Sequence, residues 1–205
     1  MMIKVYPAIL SNDIEDFKSK LRQVYFARII QVDVLDGKFV KNKSLMAKDL
    51  KKIKVKKKIE FHLMIRNPER YIDEYMNLNP YSIVFHVEST TKVNELINTI
   101  RSRNIKVGIA INPETRIEKI IPYLFKIDSV LIMTVHPGYY GSKFIKSALE
   151  KIRTIRTKTK IPIEVDGHID NKTKELVRKA GANILVSGSY IFKNDPVKSY
   201  KNLLK

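Results

Sequence analysis

Short β-branched runs alternate with amphipathic stretches from one end of the chain to the other. The runs predict strands at Val5–Leu10, Ile29–Val34, Ile59–Met64, Ser82–Val87, Lys106–Ile111, Val130–Thr134, Ile163–Asp166 and Ile184–Ser187. Helical spacing of apolar residues predicts helices at Asp13–Tyr25, Lys48–Ile53, Pro68–Leu78, Lys92–Arg103, Ile117–Leu124, Ile145–Thr157, Asn171–Ala180 and Pro196–Leu204. Asn67-Pro68 and Asp195-Pro196 each place a capping residue before a helix-starting proline, and Gly181 is a stop signal. Strand–helix alternation implies parallel βαβ units. Eight such units in 205 residues suit a closed barrel better than an open sheet. The expected fold is therefore α/β, a single (β/α)8 TIM barrel domain spanning 1–205.

Barrel strands are covered on both faces and are expected to be apolar throughout. Several of these are not. Successive strand residues point to opposite faces. Gln31 and Asp33 thus share one face of the second strand, while Ile30, Val32 and Val34 share the other. Glu60, His62 and Met64 oppose Phe61 and Leu63; His86 and Glu88 oppose Phe85 and Val87; Glu164 and Asp166 oppose Ile163 and Val165. If the polar parity points inward, Gln31, Asp33, His62 and Asp166 converge at the C-terminal mouth, where barrel enzymes do their chemistry. Singly, a strand-end Asp reads as a turn residue and a lone His as a satisfied core histidine. Together they need a shared metal or substrate, because unpartnered buried carboxylates are costly. Glycines after the late strands form a second constellation: Gly138 and Gly141, then Gly167, then Gly188 followed by Ser189. Loops of this kind hold phosphate through backbone N–H groups.

Composition narrows the setting. Apolar residues make up 44% and charged residues 29%, as in a soluble globular protein. The absence of cysteine excludes disulfides and thiolate metal sites. The N-terminus makes a poor signal peptide, and no apolar run reaches the roughly 18 residues of a membrane helix, so a cytoplasmic protein without membrane association is expected. The net charge of +18 raises the question of a nucleic-acid partner. However, the lysines are spread over the chain, Lys, Ile, Asn and Tyr are all plentiful as an AT-rich genome dictates, and no RNA-binding signature accompanies the dense run from Lys48 to Lys58. Nucleic acid is not the expected partner. A positive field would instead attract an anionic sugar phosphate.

Specific stretches resemble the ribulose-phosphate 3-epimerase family over essentially the whole chain. They are Pro7-Ala8-Ile9-Leu10-Ser11, Val32-Asp33-Val34-Leu35-Asp36-Gly37, Phe61-His62-Leu63-Met64 with Asn67-Pro68, Phe85-His86-Val87-Glu88-Ser89-Thr90, Val107 to Pro113, Met133 to Gly138, Glu164-Val165-Asp166-Gly167 and Ser187-Gly188-Ser189. The resemblance implies a barrel enzyme of the pentose phosphate pathway that interconverts D-ribulose 5-phosphate and D-xylulose 5-phosphate, and that self-associates. It implies two catalytic aspartates on opposite faces of the substrate carbon, matching Asp33 and Asp166. It implies one divalent metal (Zn, Fe, Mn or Co) held by those aspartates and two histidines, of which His62 matches one. Substrate contacts carry over to His62, Met64, Met133, Gly138, Tyr139, Tyr140, Gly141, Gly167, His168, Gly188 and Ser189.

Four positions depart from the family pattern. Gln31 stands at the first metal histidine, Ala8 at a substrate-contacting serine, Tyr140 at a loop glycine and His168 at the second glycine after Asp166. A Gln oxygen suits a hard divalent ion but lacks the imidazole nitrogen that suits Zn²⁺ and Fe²⁺. Weaker metal binding, shifted away from Zn²⁺, is therefore expected. Two other readings stay open: an epimerase for another ketose phosphate such as allulose 6-phosphate, and a degenerate barrel that binds a phosphosugar or nucleic acid without catalysis.

Overall fold

The computed structural model describes residues 2–138 and 142–205. Its strands are β1 (Lys4–Ile9), β2 (Ile29–Leu35), β3 (Lys58–Met64), β4 (Ser82–His86), β5 (Lys106–Ile111), β6 (Ser129–Met133), β7 (Ile163–Asp166) and β8 (Ile184–Ser187). All pair in parallel in chain order, and β8 closes against β1. The expected (β/α)8 barrel is thus the observed one, with strand bounds differing from the sequence reading by at most a residue or so.

The helices are α1 (Ile14–Gln23), α2 (Ala47–Leu50), α3 (Ile72–Met76), α4 (Val93–Ser102), α5 (Ala148–Lys158), α6 (Thr173–Ala180), α7 (Ser189–Phe192) and α8 (Pro196–Leu204). Capping explains where several begin. Asp13 accepts from the Asp16 N–H at the start of α1, and Asp195 accepts from the Lys198 N–H ahead of Pro196 in α8. Gly181 ends α6 at φ 116°, a left-handed value that glycine reaches without strain.

Three expected helices are corrected. The segment Ile117–Leu124 is not α-helical; it forms two 3₁₀ turns, Ile117–Lys119 and Ile121–Tyr123. Pro122 has no N–H to give and disfavours helical geometry at Ile121. The helix expected at Lys48–Ile53 is cut to the four residues of α2. Lys48, Lys51 and Lys52 repel at helical spacing, and the chain turns out after Leu50. The segment Pro68–Leu78 divides into a 3₁₀ turn, Pro68–Arg70, followed by α3. The four-residue α7 was not anticipated.

The main apolar core lies between barrel and helices. It takes the outward parity of the strands, such as Ile30, Val32, Phe61, Leu63, Ile83, Phe85, Val107 and Ile109, with Phe17, Tyr75, Leu96, Ile97, Ile152 and Leu203 from the surrounding elements. The barrel interior holds two smaller apolar groups. One is Val84, Ala110, Leu131, Met133 and Val135; the other is Tyr6, Ala8, Ile184 and Val186. Between them runs the polar parity. Among the described residues no helix is long and apolar enough to cross a membrane.

A buried acid pair lies deep in the interior. Glu60 and Glu164 are 2% and 1% exposed. Ser82 Oγ donates to Glu60 Oε2 at 2.7 Å, and Ser129 supports Glu164. Burial pushes both carboxyls up, and the Glu164 charge and hydrogen bonding push Glu60 up further, the direction expected of a pair that shares a proton. Gly108 makes room here, since a Cβ on it would meet Ser129 Oγ at 2.6 Å. Both carboxyls bind protons more tightly in the folded chain than in the unfolded one. Their contribution to stability is therefore fully present below the ordinary carboxyl range and is lost as pH rises through the raised values. Glu60→Gln would donate to Glu164 without needing a titratable proton. Urea unfolding measured as pH rises from the ordinary carboxyl range is expected to show wild type losing more stability than Glu60→Gln. Identical losses would refute proton sharing.

Candidate active site

Register sets the level of the site. Asp33 pairs with His62 across β2 and β3, and Met133 pairs with Asp166 across β6 and β7. These inward residues sit at the C-terminal ends of their strands. Gln31, one inward position below Asp33, reaches up into the same space. The Gln31 amide nitrogen donates to Asp33 Oδ1 at 3.0 Å and to Asp166 Oδ2 at 3.2 Å, and lies 3.5 Å from His62 Nδ1. His62 Nδ1 is 3.2 Å from Asp33 Oδ1 and 3.4 Å from Asp166 Oδ2. One ligand atom from each of Asp33, His62 and Asp166 falls within 4.8 Å of the others.

Burial makes these contacts strong. His62 and Gln31 are fully buried, Asp33 is buried and Asp166 is half-buried. Burial alone would depress the His62 imidazole, but hydrogen bonds to Asp166 and Asp33, with their charges, outweigh it and hold its pKa up at about 9. Burial raises the Asp33 carboxyl, and the nearby Asp166 charge adds to this, against hydrogen bonds from His62 and Gln31. A single imidazolium between two carboxylates thus compensates much of their mutual repulsion.

The same geometry bears on a metal ion. Gln31 Oε1 is buried and has no hydrogen-bond partner, while its NH₂ group occupies the position between the carboxylates where a cation would sit. Rotation of the amide exchanges the two, turning an orphaned oxygen toward two carboxylates and an imidazole nitrogen. Three oxygens and one nitrogen suit a hard or borderline divalent ion better than a soft one. The residues therefore fit a divalent metal, with one imidazole where the family pattern has two.

A cavity opens above this cluster at the barrel mouth. It is lined by Ala8, Asp33, Met64, Met133, Gly138, Asp166, Gly167, His168, Gly188 and Ser189. The structure thus gathers most of the sequence-read substrate residues around one space. His62 and Gln31 do not line it; they lie beneath the two aspartates. Tyr139, Tyr140 and Gly141 lie outside the described residues. Gly167 is required by its position: its φ is 120°, and a Cβ would meet Val135 Cγ2 at 2.5 Å. His168 has φ 53°, a left-handed conformation costing about 1–2 kcal/mol for a side chain of its kind. Its ring Nδ1 lies 2.9 Å from the Ser142 carbonyl oxygen and its Nε2 is 3.6 Å from Asp170, so the imidazole joins the β6 and β7 loops.

Two further polar residues belong to the cluster and were missing from the candidate set. His86 Nε2 lies 2.9 Å from His62 Nε2, and His86 Nδ1 lies 3.3 Å from Glu88 Oε2. Burial pushes the Glu88 carboxyl up, but hydrogen bonds from His86, Thr115 and the Asn112 N–H outweigh it and hold its pKa down at about 2. Burial keeps His86 below the usual histidine range. Their strand parity was the available signal, since both share it with His62 in the sequence.

Comparison with known proteins follows this geometry. The family model described as the Ribulose-phosphate 3 epimerase family matches residues 4–192. A ribulose-phosphate 3-epimerase of Bacillus subtilis is 35% identical over 93% of this chain and 93% of its own length. One from Methanocaldococcus jannaschii is 36% identical over 98% of this chain and 90% of its own length. A solved 3-hexulose-6-phosphate synthase from Salmonella typhimurium superposes with a TM-score of 0.75 at 15% identity, covering 98% of this chain and 97% of that one, a likeness of fold. With the closed barrel, the paired aspartates and this full-length match, the chain belongs to the ribulose-phosphate 3-epimerase family.

Proposed function

We propose that this chain interconverts D-ribulose 5-phosphate and D-xylulose 5-phosphate by inverting the configuration at C3, a step of the pentose phosphate pathway. The observation that carries this reading is the pair Asp33 and Asp166, brought to one level from β2 and β7 beside a cavity at the barrel mouth. The hydrogen on C3 is next to the C2 ketone and is weakly acidic. Inversion needs a base on one face and an acid on the other, with roles exchanged for the reverse reaction. Asp33 and Asp166 supply one carboxyl group each, one ionised to take the C3 proton and the other protonated to return one from the opposite face. Proton transfer to one and from the other leaves the pair with the same net charge after each turnover.

Asp33, His62 and Asp166, with the Gln31 amide oxygen, would hold a divalent ion. When bound, such an ion supplies positive charge to offset the oxygen anion that develops as the C3 proton leaves. His62 and Gln31 hold the carboxylates in place from below. Met64, Met133 and Ala8 give the cavity an apolar lining that excludes water from the reacting carbon. Gly138, Gly167, Gly188 and Ser189 line the cavity and would present loop backbone to the phosphate end of the substrate. The surplus of positive charge on the whole chain favours capture of the anionic substrate.

The two-base reading has a sharp signature. Asp33→Asn and Asp166→Asn are each expected to lower interconversion by about 10³-fold, within the usual range for a lost acid–base group. In D₂O each variant should still exchange the C3 hydrogen of one epimer, and the two variants should exchange opposite epimers. NMR of the substrates reads this directly. Interconversion that survives both substitutions would overturn the assignment. The Gln31 reading has its own test. Gln31→His is expected to tighten Zn²⁺ binding, by roughly 10-fold or more, in competition with a chromogenic chelator. Tight stoichiometric Zn²⁺ in the purified wild type would contradict it.

A further inference from the structure

His62 and His86 face each other in a way that admits only one hydrogen between them. Their Nε2 atoms are 2.9 Å apart. The ring planes differ by 19° and the ring centres lie 5.1 Å apart, a separation that sets the two nitrogens end to end between the rings. Both side chains are fully buried, and Phe39 covers His86 with ring centres 4.8 Å apart. No bulk water therefore substitutes for the contact. One nitrogen must carry the hydrogen and the other must offer a lone pair.

Which nitrogen does so is decided at the far end of the chain of contacts. Glu88 Oε1 accepts the Asn112 backbone N–H at 2.8 Å. Glu88 Oε2 faces His86 Nδ1 at 3.3 Å. A carboxylate only accepts, so His86 carries its hydrogen on Nδ1. A neutral His86 then has a bare Nε2, and His62 must donate from its own Nε2. A cationic His86 would place a second buried positive charge against His62 and remove the acceptor.

We propose that Glu88 and His86 are positioning residues that dictate the proton placement on His62, keeping a hydrogen on Nε2 so that Nδ1, which faces Asp33 and Asp166, is the nitrogen that gives up its proton when a divalent ion enters. This rests on the reading that His62 offers Nδ1 to a divalent ion there. A ligating imidazole must present a lone pair, and the group bonded to its other nitrogen fixes which one that is. Here that group is a second histidine, itself fixed by a carboxylate. The β5 loop supports the far end: Lys151 Nζ donates to the carbonyl oxygens of Asn112, Pro113 and Thr115, holding the segment whose Asn112 N–H anchors Glu88.

The isosteric change Glu88→Gln separates positioning from packing. Its amide oxygen keeps the Asn112 N–H, so its NH₂ group faces His86 Nδ1. His86 must then accept at Nδ1 and donate from Nε2, and His62 is left with its hydrogen on Nδ1. Glu88→Ala removes the instruction without reversing it. Three proteins are compared for Mn²⁺ affinity by calorimetry and for ¹⁵N-histidine tautomers by NMR without metal, with thermal unfolding as a check on folding. Glu88→Gln is expected to lose about 10–100-fold in Mn²⁺ affinity, the range for a disrupted ligand-orienting contact, and to lose more than Glu88→Ala. Wild type should show a protonated Nε2 on His62 and a bare Nε2 on His86, reversed in Glu88→Gln. Glu88→Gln binding like wild type while Glu88→Ala is worst would show packing alone and overturn the proposal. So would a wild-type His86 protonated at Nε2. Wild type that binds no Mn²⁺ but shows the stated tautomers counts against the metal reading, while the relay from Glu88 to His62 stands.

Discussion

Below its mouth a closed parallel barrel gives inner side chains little access to water, so inward polar groups depend on their protein neighbours for hydrogen bonds. That constraint organises this protein. The outward parity of the strands meets helices and is apolar with few exceptions, whereas the inward parity carries carboxyls, imidazoles and an amide. Each inward group is stabilised by a specific neighbour. Glu60 has Ser82 and Glu164, His62 has Asp33, Asp166 and His86, and Glu88 has His86 and the Asn112 N–H. The interior is therefore a connected polar column with apolar patches beside it.

Depth along that column separates structure from chemistry. At the level of Glu60 and Glu164 burial pushes both carboxyls up, and neither lines the cavity at the mouth. At the level of Asp33 and Asp166 the same residue type faces an open mouth, balanced by the His62 cation and the Gln31 amide. The difference between an inert acid pair and a reactive one lies in access and in the charge beneath, since carboxyls of similar intrinsic acidity occupy both levels. Family membership and the site geometry point the same way here, and the geometry adds which groups face the two aspartates.

Gln31 shows how one departure is absorbed locally. An imidazole at this position would offer a single nitrogen to the centre. The amide offers either a donor or an acceptor, depending on its rotation. In the structure it presents the donor side, bridging both aspartates and leaving Oε1 without a partner. The amide thus braces both aspartates and keeps an oxygen that rotation would turn toward an ion. His168 is a second local adjustment: a left-handed histidine in the place of a glycine, held by its contacts with Ser142 and Asp170.

Strand number, strand order and the inward parity were all legible in the amino-acid sequence. β-Branched runs and two-residue alternation are local signals that survive in a closed parallel sheet. The aspartates and His62 were legible for the same reason, and motif resemblance then attached roles to them. Segment Ile117–Leu124 was misread because its apolar spacing is helical while Pro122 forbids the helix. His86 and Glu88 were visible as polar residues of the right parity, yet nothing local joined them to His62. The residue opposite His62 on β4 is Val84, and His86 lies two positions further along. Only the stagger of strands in the closed barrel brings the two imidazoles within 2.9 Å. Sequence by itself determined which side chains face inward, because that depends on alternation along one strand. The tertiary structure alone decided which of them touch, because that depends on register between strands and on how far each side chain reaches across the barrel.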